Sequence, residues 1–429
     1  MSIHMPEFTR RLATVSKDRY KIKFLEDGYP GKDLENMVVP HPIYGIYVIR
    51  DYLFQYKKTK DPLYKTAAIT VANAAIQRMD LFKNSLVFWY KEKSPLNSSD
   101  RDYYSGLTQS YYAEVLAKLF VVTGIEKYKT AAQKVYYSLK IPVLEGRTLN
   151  ETSKGPSIEE YPTSPNGYIL NGWLSAISAV KTYANLLQDK EAHTFWRENL
   201  AALIKLLPSY DAPQFKNSRY TLNRHTNIKI SSSINNIELQ KTIVHIPGDK
   251  NYELNLSNNK DYEGVIVSSS VVIKGEKILF KNNQLILNVL LSRYSYPSEN
   301  ELYVKVVSQE KGTLQLSIAQ PEYSPTRMIT PEKYILIKEV AIEKGINEIK
   351  LKMYWINLDD LGVTTTFKKL GDKWHNVYHF IHINRLEEFY KVINNDDLLK
   401  YIEKWKSYVS SWSDNPLYAH LETRPYKGR

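Results

Sequence analysis

The residues able to do chemistry sit in a few short runs. Glu159-Glu160-Tyr161-Pro162-Thr163 puts two carboxyls and a phenol directly before a proline. Pro162 turns Tyr161 away from the α region, so the run reads as a loop entering the helix that follows. Loops in that position carry function more often than helix bodies do. Two solvated glutamates and a packing tyrosine also fit the run. His379 and His382 are three apart, a spacing that places both on one helix face. A zinc site would need a glutamate and a third ligand in the pattern, and these are missing. Hydrogen bonding or packing is therefore the expected role of the pair. There is no glycine-rich nucleotide loop and no G-x-S-x-G elbow, so nucleotide and serine-hydrolase chemistry find no support.

These residues need elements to hold them. From Pro42 the pattern is helical, and Leu63, Ala67, Val71, Ala74, Ala75 and Met79 recur at three and four. Asp61-Pro62 opens that helix. Segments 103–123 and 125–139 form a pair broken at Thr123-Gly124. Ile169, Leu170, Trp173, Ile177, Val180, Tyr183 and Leu187 share one face, with Trp173 expected in the core, and another helix is expected near 189–207. Repeated helical hairpins predict an α/α barrel, or toroid, around a central cleft.

The character changes near Ile228. NIKISSS, TIVHI, YELNLS, GVIVSSSVVIKG, QLILNVLLS, LYVKVVS, TLQLSIA and EIKLKMYWI are short and β-branched, with turn clusters between them. They predict an antiparallel β-sandwich. Helical period returns after Trp374, and Leu398, Ile402, Trp405 and Val409 mark the last helix. The expected fold class is α+β multidomain, a helical domain interrupted by an inserted β domain. Its parts are an N-terminal extended segment (1–40), the discontinuous helical domain (41–227 and 369–412), the β insert (228–368) and a tail (413–429).

Lysine and arginine number 58 against 46 acidic residues, a net charge of +12. That balance suits an anionic partner, and it also suits a lysine-rich surface kept for solubility. With no long basic block, zinc-finger spacing or RNA-binding aromatic signature, nucleic acid is not an expected partner. The absence of cysteine removes disulfide and thiolate chemistry. The N-terminus MSIHMPEFTRR lacks an apolar signal region and no run is long enough to span a bilayer, so a cytoplasmic location without a membrane span is expected. The 34 tyrosines suit either a sugar-binding groove or a tyrosine-rich core.

The run EEYPTSPNGYILNGW (159–173) resembles the signature of the C-terminal domain of D-glucuronyl C5-epimerases, the heparosan and heparan sulfate epimerases. Further pieces follow in the family's order: YSGLTQ from Tyr104, LPSYD from Leu207, YTLNRH from Tyr220 with one extra residue, YHFIHIN from Tyr378 and KWKSYV from Lys404. The resemblance covers roughly 41–225 and 370–412. The animal enzymes carry β domains before the helical domain. Here the strand-rich segment instead separates YTLNRH from YHFIHIN, where the family has a short link.

The resemblance implies epimerisation of D-glucuronate to L-iduronate within an acidic polysaccharide. A proton α to a carboxylate leaves C5 and returns to the opposite face. That chemistry needs an acid/base group on each face and a cation or strong donors on the carboxylate as the enediolate forms. It needs no redox cofactor, and no metal is expected. By resemblance, Tyr378 and Tyr161 (or Glu160) are the acid/base groups. Arg224 meets the uronate carboxylate with Tyr220 assisting, and His225, His379, His382, Asn384, Asn171, Tyr104 and Gln109 complete the binding set. A phenol of pKa about 10 needs a neighbouring cation to serve as a base, and Arg224 and His225 are the candidates. A homodimer is implied as well. Two other readings remain open: a lyase, which begins with the same proton abstraction and then expels the C4 substituent, and a non-catalytic glycan-binding protein. A hydrolase would need a second carboxylate across from Glu160, and no motif supplies one.

Overall fold

A computed structural model describes residues 5–8, 22–34, 37–96, 101–145, 148–162, 167–249, 251–253, 271–274, 277–295, 299–322, 329–353, 359, 361–363, 367–370 and 372–426. The middle of the EEYPTSPNGY run (163–166) and much of the YELNLS and GVIVSSS stretches lie outside the described residues. The chain is mixed helix and antiparallel sheet. It forms two compact units: 1–151 with 155–204 and 385–394, and 152–154 with 205–384 and 395–429. The divisions at 204 and 384 fall inside helices, whereas the change in residue pattern near 228 and 368 marks a change of secondary structure.

Eight helices lie in the described residues: α1 (Pro42–Thr59), α2 (Pro62–Gln77), α3 (Gly106–Thr123), α4 (Glu126–Tyr137), α5 (Leu170–Leu187), α6 (Lys190–Tyr210), α7 (Val377–Ile393) and α8 (Asp396–Ser410). Their ends follow from local chemistry. The Asp61 carboxylate accepts from Leu63 N–H at 2.9 Å and Pro62 sits in the first turn of α2. Ser105 caps α3, and Gly124 closes it in the left-handed region at φ 69°. In the first unit α1 packs on α2, and α3 packs on α1, α4 and α5. Nearly the whole surface of α3 is buried, as expected for an interior helix that is apolar on most sides.

The first 40 residues hold more order than their lack of period suggested. Ile22–Phe24, Pro30–Leu34 and Met37–Pro40 form a three-stranded antiparallel sheet, each strand too short to display an alternation. Tyr29 in its turn is fully buried, and its hydroxyl meets that of Tyr112 at 2.8 Å and the Pro42 carbonyl at 3.0 Å.

The strands of the second unit form two larger antiparallel sheets. One has the order Gln284–Ser292, Asn223–Ser232, Gly312–Glu322, Ile329–Ile342. The other runs Val271–Lys274, Lys277–Phe280, Glu238–His245, Glu301–Ser308, Gly345–Lys352, with Asn251–Glu253 beside Glu238–His245. Glu301–Ser308 alternates faithfully, burying Leu302, Val304 and Val306. Ile329–Ile342 was not among the anticipated strands. It is an edge strand carrying Pro331, four charged side chains and exposed Ile335 and Leu336, so it lacks the apolar alternation of a half-buried strand.

Two of the short family-like runs meet as scaffold. Asp211, at the end of LPSYD, accepts from Lys404 Nζ at 2.5 Å, Trp405 Nε1 at 3.1 Å and the Tyr408 hydroxyl at 2.9 Å, all three in KWKSYV. The carboxylate is 8% exposed. Deleting it strands buried donors, so Asp211→Ala is expected to destabilise the chain by about 2–3 kcal/mol in urea denaturation, with Asp211→Asn milder.

Candidate active site

In the first unit, three sequence runs converge on Glu160. Gly106, at the start of α3, donates its N–H to the Glu160 carbonyl at 3.2 Å. A Cβ on Gly106 would lie 2.4 Å from the Glu159 carbonyl oxygen, so only glycine lets the helix start press against this backbone. Gly172, in the first turn of α5, lies under the Glu160 side chain, and a Cβ there would come within 2.3 Å of Oε2. The two glycines of YSGLTQ and ILNGW thus make the slot that holds Glu160.

The two glutamates do different work. Glu159 is buried, and its carboxylate accepts from the Ser157 hydroxyl at 3.1 Å and from Tyr168 N–H at 3.0 Å. It ties together the two ends of the loop. Glu160 is half-buried, and its Oε2 is sealed from solvent without a hydrogen-bond partner among the described residues. Burial pushes its carboxyl up to about 7, opposed by a hydrogen bond from the Tyr161 side chain. A carboxyl titrating near neutrality serves equally well as proton acceptor and donor.

An aromatic row surrounds it. Tyr161, 38% exposed, meets Tyr103 edge-on at 5.5 Å. Tyr103 stacks on Tyr90 at 4.9 Å, Tyr90 meets His41 at 6.0 Å, and His41 stacks on Tyr44 at 4.2 Å. Burial, and then the charge of Glu160, push the Tyr103 phenol up to about 12. Burial also raises Tyr90 well above its ordinary value. These two phenols stay protonated at neutral pH, as donors and stacking faces. Arg101 donates to the Pro162 carbonyl at 3.0 Å and brings a cation to the same loop. Sequence reasoning passed over Arg101, Tyr103 and Tyr90. Adjacency to YSGLTQ was the available signal for the first two, and Tyr90 had none.

Two expected binding residues of this unit are corrected. Tyr104 is fully buried, and its hydroxyl donates to the Ser138 carbonyl at 2.8 Å. Gln109 is fully buried too, accepting from Phe88 N–H and donating to the Leu86 carbonyl and Ser138 Oγ. Both brace α3 from within and cannot reach a polysaccharide. Asn171 is half-buried beside Gly172, and its carbonyl oxygen has no partner among the described residues. Trp173 is core, as expected, donating to Asn199 at 3.0 Å.

In the second unit, Tyr220 and Tyr378 come together, ring centroids 4.8 Å apart and edge to face. Both are half-buried. Tyr220 N–H donates to the Gly362 carbonyl at 2.7 Å, and buried Arg219 holds the same loop by donating to the Asp359 and Leu361 carbonyls. Arg224 is half-buried in the strand Asn223–Ser232, opposite Leu291. His225 follows it in that strand, and its side chain lies outside the described residues.

His379 and His382 are a further correction, since both are fully buried. Their Nδ1 atoms lie 2.8 and 2.7 Å from the Ser218 hydroxyl, and His379 Nε2 donates to the Trp405 carbonyl at 3.0 Å. Burial pushes His379 down to about 4 and His382 well below its ordinary value, so both are neutral. They anchor α7 beneath Tyr378 and do not reach a polysaccharide. Asn384 accepts from the Tyr426 hydroxyl at 2.8 Å. Among the described residues no three His, Cys, Asp or Glu side chains cluster so as to hold a metal ion.

The raised Glu160 pKa has a consequence for stability. The folded chain binds this proton more tightly than the unfolded chain, whose glutamates titrate at about 4.3. The stabilisation is complete below that value and is lost as pH rises through about 7. Denaturant titrations across that window are expected to show wild type losing stability relative to Glu160→Gln. Parallel curves for the two proteins would mean an ordinary, solvated carboxyl.

Comparison with known proteins bears on this site. A family profile described as D-glucuronyl C5-epimerase C-terminus matches residues 77–255. That range includes Glu160 and Arg224 but not the YHFIHIN and KWKSYV runs. The chain is 27% identical to a D-glucuronyl C5-epimerase of Caenorhabditis elegans over 121 residues, 25% of this chain and 20% of the relative. It is 24% identical over 200 residues to an uncharacterised protein of Methanocaldococcus jannaschii, 42% of this chain and 64% of that one. The chain thus spans less than two thirds of the length of these relatives. Among solved structures, an endoglucanase of glycosyl hydrolase family 8 from Klebsiella pneumoniae aligns with TM-score 0.32 and 15% identity, covering 45% of this chain and 58% of that one. At that score the likeness carries no argument. Residues 77–255 are thus similar to the C-terminal domain of D-glucuronyl C5-epimerases.

Proposed function

We propose that the protein epimerises C5 of D-glucuronate residues within an acidic polysaccharide, giving L-iduronate. The observation that carries this reading is Glu160, its carboxyl pushed up to about 7 by burial, with one sealed oxygen that has no partner among the described residues, beside exposed Tyr161. A base of this strength fits removal of a proton α to a carboxylate, and in its acid form it returns one.

Glu160 is the proton carrier of the first unit, in preference to Tyr161. Tyr378 is the candidate carrier of the second unit, and the helix anchored by His379 and His382 fixes its backbone. Arg224, with Tyr220, neutralises the uronate carboxylate as negative charge develops, which lowers the barrier electrostatically. The row from Tyr161 to Tyr44 offers faces and hydroxyls on which pyranose rings pack. The α/α barrel and β-sandwich expected from the residue pattern and the homodimer implied by the resemblance belong to the same reading, as does the helical segment 41–227 with 369–412 as the catalytic domain.

The test is exchange in D₂O with a heparosan-type glucuronan. Deuterium at C5 with unchanged chain length is the expected outcome, and absorbance from a new C4–C5 double bond would replace the epimerase by a lyase. Glu160→Gln is expected to lower exchange about 100-fold or more. Wild-type exchange rises with pH through about 7 if Glu160 acts as the base. Undiminished exchange in Tyr378→Phe would remove that residue from the reaction.

A further inference from the structure

The second unit contains a cavity of about 520 Å³ that the proposed chemistry does not use. Its wall includes Lys154, Lys205, Ser209, Arg293, Tyr294 and Glu299, three cations against one carboxylate. The volume falls in the range of about 300–1,000 Å³ common to ligand pockets and exceeds what a lone ion fills. Arg293, Tyr294 and Glu299 also lie beyond the residues matched by the family profile.

The two lysines are held in place without an acidic partner among the described residues. Lys154 is half-buried, its ammonium 2.6 Å from the Tyr294 carbonyl and 4.5 Å from the centre of that ring. Burial lowers its pKa, and no acidic side chain pairs with it among the described residues. Lys205 Nζ lies 3.2 Å from the Lys154 carbonyl, also without an acidic partner among the described residues. Arg293 forms an ion pair with Asp359 at 3.7 Å. The backbone around them is fixed: Ser153 N–H donates to Gly248 at 3.1 Å and Arg293 N–H to Leu222 at 2.9 Å. The Tyr294 hydroxyl is engaged with Thr152 at 2.6 Å. The half-buried Lys154 ammonium and Arg293 guanidinium, with the exposed Lys205 ammonium beside them, form a receptor for an oxyanion.

We propose that this cavity binds an anionic sugar unit of the polysaccharide, a uronate or sulfated residue other than the one that reacts. The proposal rests on the reading of the substrate as an acidic polysaccharide. The cavity holds the chain by a charged unit and thereby favours substrates that extend past the reacting residue. Its charge excess also draws a polyanion towards it at low ionic strength.

Calorimetric titration of the full chain tests this with three probes: a glucuronate hexasaccharide, a neutral glucan hexasaccharide and sodium sulfate. Lys154→Gln with Lys205→Gln is expected to weaken the glucuronate hexasaccharide about tenfold or more, with the gap narrowing in about 0.5 M NaCl. Lys205→Glu alone changes only an exposed side chain and is expected to weaken binding as well, which guards against a folding defect in the double variant. Equal affinity in wild type and both variants would overturn the proposal. So would a neutral hexasaccharide bound as tightly as the acidic one, or sulfate alone bound as tightly as either. C5 exchange is read separately. Lysine-dependent binding without exchange removes the epimerase reading and keeps the cavity, whereas exchange with lysine-independent binding does the reverse.

Discussion

A carboxyl held partly out of water, with one oxygen that has no partner among the described residues, is the constraint around which the first unit is arranged. Burying such a group is unfavourable unless it neutralises, and Glu160 answers by titrating near 7. The slot exists because Gly106 and Gly172 carry no side chain, so the start of α3 approaches the Glu159 backbone closely and the start of α5 approaches the Glu160 side chain. Glu159 spends its own carboxylate on closing the loop. Adjacent residues of one type thus divide into a fastener and a proton carrier, and burial with hydrogen bonding decides which is which.

The second unit uses buried polar groups for anchorage. Asp211 collects three donors from α8, and Ser218 collects both histidines of α7. These networks tie α7 and α8 to the segment 211–218 through buried hydrogen bonds. The half-buried pair Tyr220 and Tyr378 sits on that base. The reactive candidates are half-buried side chains resting on these scaffolds: Glu160 in one unit, the tyrosine pair in the other.

The positive charge of the chain acquires a location in the same way. Spread over the sequence, 58 basic residues suggest only solubility or an anionic partner. At the cavity of the second unit, Lys154 and Lys205 lack acidic partners among the described residues, and Arg293, paired with Asp359, stands beside them. Uncompensated charge on a preorganised wall attracts an anion far more selectively than the same charge on mobile surface lysines.

Capping residues and proline positions marked the start of α2 and the break between α3 and α4, because those signals are local: Asp61-Pro62 and Thr123-Gly124 each act within one turn. The family, too, was legible from short runs in order. Residue roles were less so, because a role depends on burial and partners contributed by distant segments. Tyr104, Gln109, His379 and His382 are conspicuous in the sequence and prove to be internal braces, whereas Tyr103 and Arg101 stand unremarked beside them and line the loop. The run EEYP by itself announced a loop with two acids. Only the close approach of two helix starts, from residues 106 and 172, decided that the second acid would be desolvated and the first one bound.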